Sequence, residues 1–209
     1  MTDLFSTADP DTGEEIALAD AEVTMRPHFL PRSAADRFFD TFMREIAWEQ
    51  RKVFVWGKWH EQPRLVAWYG DPHAVYSYSG TSMTPVAWTA TLIELRQLVE
   101  AVARVRFNSV LLNLYRNEQD RMGWHSDDEP ELGPQPVIAS VSLGETREVL
   151  FKRRGKHARA SQKVAMTHGS LMIMAGDTQK NWLHSVGRKG ARCGPRINLT
   201  FREIRPAAL

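Results

Sequence analysis

A single cysteine, Cys193, among 209 residues excludes an intramolecular disulfide and any zinc site built on several cysteines. One cysteine fits a reducing compartment, and the cytoplasm is the expected location. The first twenty residues, MTDLFSTADPDTGEEIALAD, lack the basic and apolar regions of a secretory signal peptide. No apolar run approaches the roughly 20 residues that cross a bilayer, so no membrane attachment is expected. Internal repeats are missing too. Residues 1 to 22 hold no lysine or arginine, only seven acids: Asp3, Asp9, Asp11, Glu14, Glu15, Asp20 and Glu22. The rest of the chain then carries 27 bases against 18 acids, a body of +9 within a net charge of +2. Such a body attracts polyanions, but a basic sequence tuned for solubility has the same balance. Charge alone leaves both open.

What remains is ordinary for a globular protein, and the length suits one compact domain. Three stretches are expected: an acidic, flexible arm over 1–22, helices with an aromatic segment over 23–106, and a mainly β core over 107–209. SAADRFFDTFMREIAW repeats Phe39, Phe42, Met43 and Ile46 at helical spacing, with Ser33 and Asp36 as a capping box. TLIELRQLVEAVARV predicts a second helix burying Leu92, Leu95, Val99 and Val102, with Thr91 and Glu94 as its box. Between them VFVWGKWH, RLVAWYG and AVYSYSG are dense in aromatics and punctuated by glycine and proline. They read equally as core strands or as a surface that stacks bases, with Lys58, Arg64 and His60 alongside. After Phe107 come six β-like runs, which predict an antiparallel sandwich or barrel. The basic piece KRRGKHARASQK, 152–163, reads as a hairpin tip.

Three places carry chemistry. In GWHSDDE, residues 123–129, His125 and Asp127 lie two apart and point the same way on an extended segment. With seven histidines, about one such pair is expected by chance, so a third ligand is needed. His184 in NWLHSVG is the best candidate, although a satisfied core histidine looks the same. Two histidines and a carboxylate form a facial triad suited to non-haem Fe(II). In RINLTFR, alternation puts Arg196, Asn198, Thr200 and Arg202 on one face and Ile197, Leu199 and Phe201 on the other. If the polar face turns inward, its arginines need anions, and a dicarboxylate fits two. If it turns outward, it is merely wet. In LLNLY, Asn113 and Tyr115 share a face and would complete such a pocket.

The ordered series NLYRN, HSDDE, IASVSLG, HGSLMIMAG, HSV and RINLTFR resembles the AlkB family of Fe(II)/2-oxoglutarate dioxygenases, over about residues 50–205. The aromatic stretch upstream is similar to the nucleotide-recognition lid of its DNA-repair branch. The resemblance implies an α+β, mainly β fold: a double-stranded β-helix, or jelly roll, with supporting helices and an N-terminal lid. It implies Fe(II) on His125, Asp127 and His184. Arg196, Tyr115 and Asn113 would hold the distal carboxylate of 2-oxoglutarate. Asn198 and Arg202 would sit at its chelating end, with Thr200 on the same face. Arg202 would brace Asp127 as well. O₂ is the second co-substrate. Asp128 would favour a cationic methylated base, such as 1-methyladenine or 3-methylcytosine. Tyr76 and Tyr78, with Ser77 between them, match the platform for a flipped base, and His184 its facing wall. Trp56, Gly57 and Lys58 match the segment that probes the base stack. Phosphate contacts fall to Lys58, Arg64, Arg153, Arg154, Lys156 and Arg159.

The implied activity is oxidative demethylation of N-alkylated bases in DNA, releasing formaldehyde, succinate and CO₂, by a monomer with DNA favoured over RNA. Two features depart from the pattern: Ser126 stands where a basic residue is common, and the acidic arm has no counterpart. The rival readings are an RNA or tRNA demethylase, a protein or small-molecule hydroxylase, and a nucleic-acid binder without catalysis.

Overall fold

The computed structural model describes residues 13–55, 57–74, 76–78, 81–155 and 160–205, with 55, 76–78, 81–83, 160 and 161 described by their backbone alone. Two antiparallel sheets form the body. The larger runs β1-β2-β13-β10-β15-β8-β5, from β1 (Glu14–Glu15), β2 (Glu22–Arg26), β13 (Ser170–Ala175), β10 (Ile138–Gly144), β15 (Arg196–Arg202), β8 (Ser109–Tyr115) and β5 (Leu65–Gly70). The smaller runs β12-β11-β14-β9, from β12 (Ala160–Met166), β11 (Arg147–Arg153), β14 (Trp182–Val186) and β9 (Met122–His125). Two ribbons stand apart from both sheets: β3 (Lys52–Val55) with β4 (Lys58–Glu61), and β6 (Tyr76–Tyr78) with β7 (Thr81–Met83). Helices α1 (Arg32–Glu45) and α2 (Ala90–Ala103) are joined later by the single turn α3 (Thr178–Asn181). Among the described residues no helix is long and apolar enough to cross a membrane.

The large sheet is buried on both faces, which explains why β8 and β15 hide all seven of their residues. One core lies between this sheet and the helices, where Phe38, Phe42, Leu92, Leu95 and Val99 meet Leu112, Val141, Ile197, Leu199 and Phe201. The other lies between the sheets, where Trp68, Leu111 and Met172 meet Val149, Phe151 and Trp182. Strand alternation does the sorting. Ile197, Leu199 and Phe201 serve the helix side, which leaves Arg196, Asn198, Thr200 and Arg202 to the space between the sheets. Gly144 ends β10 in the left-handed region (φ 86°), where a Cβ would collide with Pro195 O and the Phe39 ring.

Several sequence expectations are corrected here. Helix α1 starts after Pro31 with no side-chain cap. Asp36, expected in a capping box with Ser33, instead accepts from His168 Nε2 (3.0 Å), whose Nδ1 accepts from Gly144 N (2.8 Å). The cap of α2 is Thr89, whose hydroxyl accepts from Leu92 N (3.2 Å); Glu94 pairs with Arg37 on α1 (2.6 Å) rather than closing a box with Thr91. Phe38, missed by the helical periodicity, is fully buried, while Phe39 and Met43 pack at the margin. The acidic arm falls outside the described residues up to position 12. From Gly13 onward the chain packs on the body: β1 and β2 extend the large sheet, Leu18 is buried, and Trp182 Nε1 donates to Ala19 O (2.9 Å). β2 and β5, placed before the core by sequence, are strands of it.

Candidate metal centre and its cavity

His125 and His184 face each other directly across the β9–β14 ladder, with ring centroids 4.1 Å apart. Asp127 follows two residues after β9. The ligand atoms of the three side chains all lie within 4.8 Å of one another. The Nδ1 of His125 lies 2.9 Å from Gly123 O, and a carbonyl can only accept, so this nitrogen carries the proton and Nε2 keeps its lone pair. Burial pushes His184 down to about 3, helped by the neighbouring His125, and it lowers His125 too. Both imidazoles are therefore neutral at pH 7. Burial opposes ionisation of Asp127, yet the Arg202 guanidinium and the two imidazoles hold its carboxyl at about 2. Arg202 Nη2 donates to Asp127 Oδ1 (2.6 Å), and Gln179 Oε1 accepts from Asp127 N (2.9 Å). Asp127 Oδ2 is buried with no hydrogen-bond partner. Two neutral nitrogen donors and one orphaned carboxylate oxygen converging on a point make a donor set that fits a divalent cation such as Fe(II).

A cavity opens beside this cluster. Asn113, Tyr115, Asn198, Thr200 and Arg202 line it with Met122, Met172 and Met174. The strand register ranks its polar wall: Arg196 opposes Tyr115, Asn198 opposes Asn113, and Thr200 opposes Leu111. Arg196 stands behind this lining and is fully buried. Its Nε donates to Ser142 Oγ (2.8 Å) and its Nη2 to Asn198 Oδ1 (2.9 Å), while Nη1 has no partner. Burial lowers its pKa to about 10, and it stays charged at pH 7. No carboxylate among the described residues forms an ion pair with it. Two guanidiniums lie over the Tyr115 ring, Arg196 at 5.2 Å and Arg147 at 5.6 Å from its centroid. A buried cation with an unfilled donor calls for an anion from outside the chain.

Other expected site residues lie as follows. Arg64 is buried, not phosphate-facing: its Nε donates to Asn113 Oδ1 (2.7 Å), so it orders the cavity wall. Asp128 is half-exposed and already engaged by Arg154, whose Nη2 also donates to Ser126 Oγ. Arg153 pairs with Asp20 (2.5 Å). Gly57 has φ 76° with open space around it, and Lys58 is exposed. Trp56, Lys156 and Arg159 lie outside the described residues. So do the side chains of Tyr76, Ser77 and Tyr78, whose backbone forms β6. Sequence reading missed Ser140 and Ser142, which hold Asn198 and Arg196. Alternation within IASVSLG would have found them, since Ser140 opposes Thr200 and Ser142 opposes Asn198. It missed Gln179 as well, for which the sequence gives no signal.

Comparison with known proteins agrees with this architecture. The family described as the 2OG-Fe(II) oxygenase superfamily matches residues 22–202. The alpha-ketoglutarate-dependent dioxygenase alkB homolog 3 of Bos taurus is 40% identical over 194 residues, covering 89% of this chain and 67% of its own. The DNA oxidative demethylase ALKBH2 of Mus musculus is 40% identical over 184 residues, covering 84% of this chain and 77% of its own. A solved structure of OsALKBH1 superposes with a TM-score of 0.63 at 16% identity, covering 91% of this chain and all of that one.

Proposed function

This chain belongs to the AlkB homologues of the 2OG-Fe(II) oxygenase superfamily, dioxygenases that use Fe(II), 2-oxoglutarate and O₂, and on that footing we propose that it removes N-methyl groups from damaged bases in DNA. The observation that carries the reading is the pairing of two unfilled demands in one interior. Three donors converge with Asp127 Oδ2 orphaned, and Arg196 is buried without a counter-ion. A keto diacid beside a divalent cation satisfies both.

In this reading His125, Asp127 and His184 hold Fe(II). Tyr115, Asn113 and Arg196 take the distal carboxylate of 2-oxoglutarate, and Asn198, Thr200 and Arg202 the chelating end. When bound, the metal and its co-substrates supply the oxidising power that hydroxylates an N-methyl carbon; the product then collapses to formaldehyde and the restored base. The chain's own residues set the geometry. Arg202 fixes the Asp127 carboxylate through Oδ1 and leaves Oδ2 to the cation. The His125 bond to Gly123 O fixes its tautomer. Methionines and Val149 and Val186 dry the cavity.

A flipped base needs a stacking surface and the strand needs cations. Phe54 and Trp59 oppose each other on the β3–β4 ribbon, 5.4 Å between centroids, at 54% and 63% exposure. An aromatic pair left in water beside Lys52 and Lys58 supports a nucleic-acid partner. Of the two relatives named above, one is a DNA oxidative demethylase, which supports DNA as the preferred polymer, with RNA the alternative. The lone cysteine keeps the cytoplasm as the expected setting, and a monomer is the proposed working form. Mass spectrometry on oligonucleotides carrying 1-methyladenine or 3-methylcytosine, as single-stranded DNA, duplex DNA and RNA, tests the proposal. Loss of 14 mass units with matched succinate release is expected on DNA. Turnover of the RNA alone overturns the DNA assignment, and turnover of neither overturns demethylation.

A further inference from the structure

Of the three candidate ligands, two are held by a strand ladder. His184 lies inside β14, and His125 ends β9 directly opposite it. Asp127 has no such support, because residues 126–129 belong to no helix or strand. A ligand on irregular backbone must be located by side-chain bonds, and metal sites tolerate only about 0.5 Å of misplacement. Arg202 locates its carboxylate and Gln179 its backbone nitrogen. A third group acts on its two neighbours.

We propose that Arg154 is a positioning residue for the metal-binding segment: from the turn after β11 its guanidinium holds Ser126 and Asp128, the residues on either side of Asp127, and so sets where the Asp127 carboxylate points. The proposal rests on reading His125, Asp127 and His184 as the metal ligands. One nitrogen, Arg154 Nη2, faces Ser126 Oγ, Asp128 Oδ2 and Gln179 O (3.2 Å), which share its two hydrogens. The arginine is itself anchored, since its backbone nitrogen donates to Asn181 O (2.8 Å). The segment is thereby divided by parity. His125 and Asp127 address the cavity, while Ser126 and Asp128 address Arg154. Pinning the even positions to one side presents the odd positions to the other. Gln179 belongs to both halves, taking Asp127 N on its side chain and Arg154 on its carbonyl. Arg154 is only partly exposed and its ion pair with Asp128 contributes little to folding on its own. Its effect falls on ligand geometry, where groups holding a metal ligand typically change affinity about 10–100-fold.

The sign of the effect separates this role from simple electrostatics. Arg154 is a cation near a cation site, so removing its charge alone would tighten metal binding. The positioning role predicts the reverse. Anaerobic Fe(II) titration and the visible spectrum of the Co(II)-loaded protein read it without turnover. Arg154→Ala is expected to weaken Fe(II) about tenfold and to alter the Co(II) spectrum. Arg154→Lys, which keeps a donor for the same acceptors, restores most of the affinity. Arg153→Ala, on the same turn but paired with Asp20, changes neither. Arg154→Ala combined with Asp128→Asn is no weaker than Arg154→Ala alone. Unchanged or tighter Fe(II) binding in Arg154→Ala, with an unaltered spectrum, overturns the proposal. So does an equal loss in Arg153→Ala. A wild-type protein that takes up neither ion overturns the metal assignment itself, a failure visible before any variant is made.

Discussion

β15 and the β3–β4 ribbon are both short antiparallel elements with alternating side chains, and they are opposites in every other respect. β15 lies inside a seven-stranded sheet and buries all seven residues, two arginines among them. Among the described residues the ribbon pairs with no other strand, and all four residues of β4 are exposed. A two-stranded ribbon is marginal by itself, and a cross-strand aromatic contact such as Phe54–Trp59 contributes only about 0.2–1 kcal/mol. The lesson is a division of labour. The wall proposed for the small diacid is fixed by packing on both faces, whereas the ribbon proposed for a polymer is only two strands wide.

That contrast can be broken from either side. Asp127→Ala should drop turnover to background, measured by succinate release, with the fold retained by circular dichroism but thermal unfolding shifted down, because Arg202 loses its buried counter-ion; full activity would remove it from the centre. Arg196→Ala should raise the KM for 2-oxoglutarate about tenfold to a hundredfold, the worth of hydrogen bonds to a charged group, with the oligonucleotide KM little changed. On the ribbon, Trp59→Ala should raise the oligonucleotide KM about tenfold, the worth of one stacked base, and leave substrate-free decay of 2-oxoglutarate intact. If both decline together, the two regions are not separable. Lys58→Ala should weaken DNA binding slightly and lower the slope of log affinity against log salt by about one. Thr89→Ala sets the floor: about 1 kcal/mol of stability lost in urea unfolding and no change in either KM.

The same contrast explains what could be read in advance. The period of two in RINLTFR identified which side chains share a face, and the large sheet, covered on both faces, turned the polar set inward. Periodicity says nothing about depth, however. Arg64 looked like a surface cation among aromatics because no local pattern marks its partner, Asn113, 49 residues away. The helix starts were misread for a related reason: serine, threonine and acids cluster near α1 and α2, and the tertiary partners of Asp36 and Glu94 outbid the local boxes. The candidate metal cluster became visible through the order of its motifs. The groups bonded to its segment, Gln179 and Arg154, come from a short helical turn and a hairpin whose sequences carry no mark of those contacts.

One feature of the smaller sheet reaches beyond the site. β9 is its outermost strand, and the juxtaposition of the two imidazoles depends on its alignment with β14. A shift by a single residue would turn one ring outward. Peeling of this margin would therefore disarm the enzyme while both cores stay intact, and heat should silence the protein well before it melts.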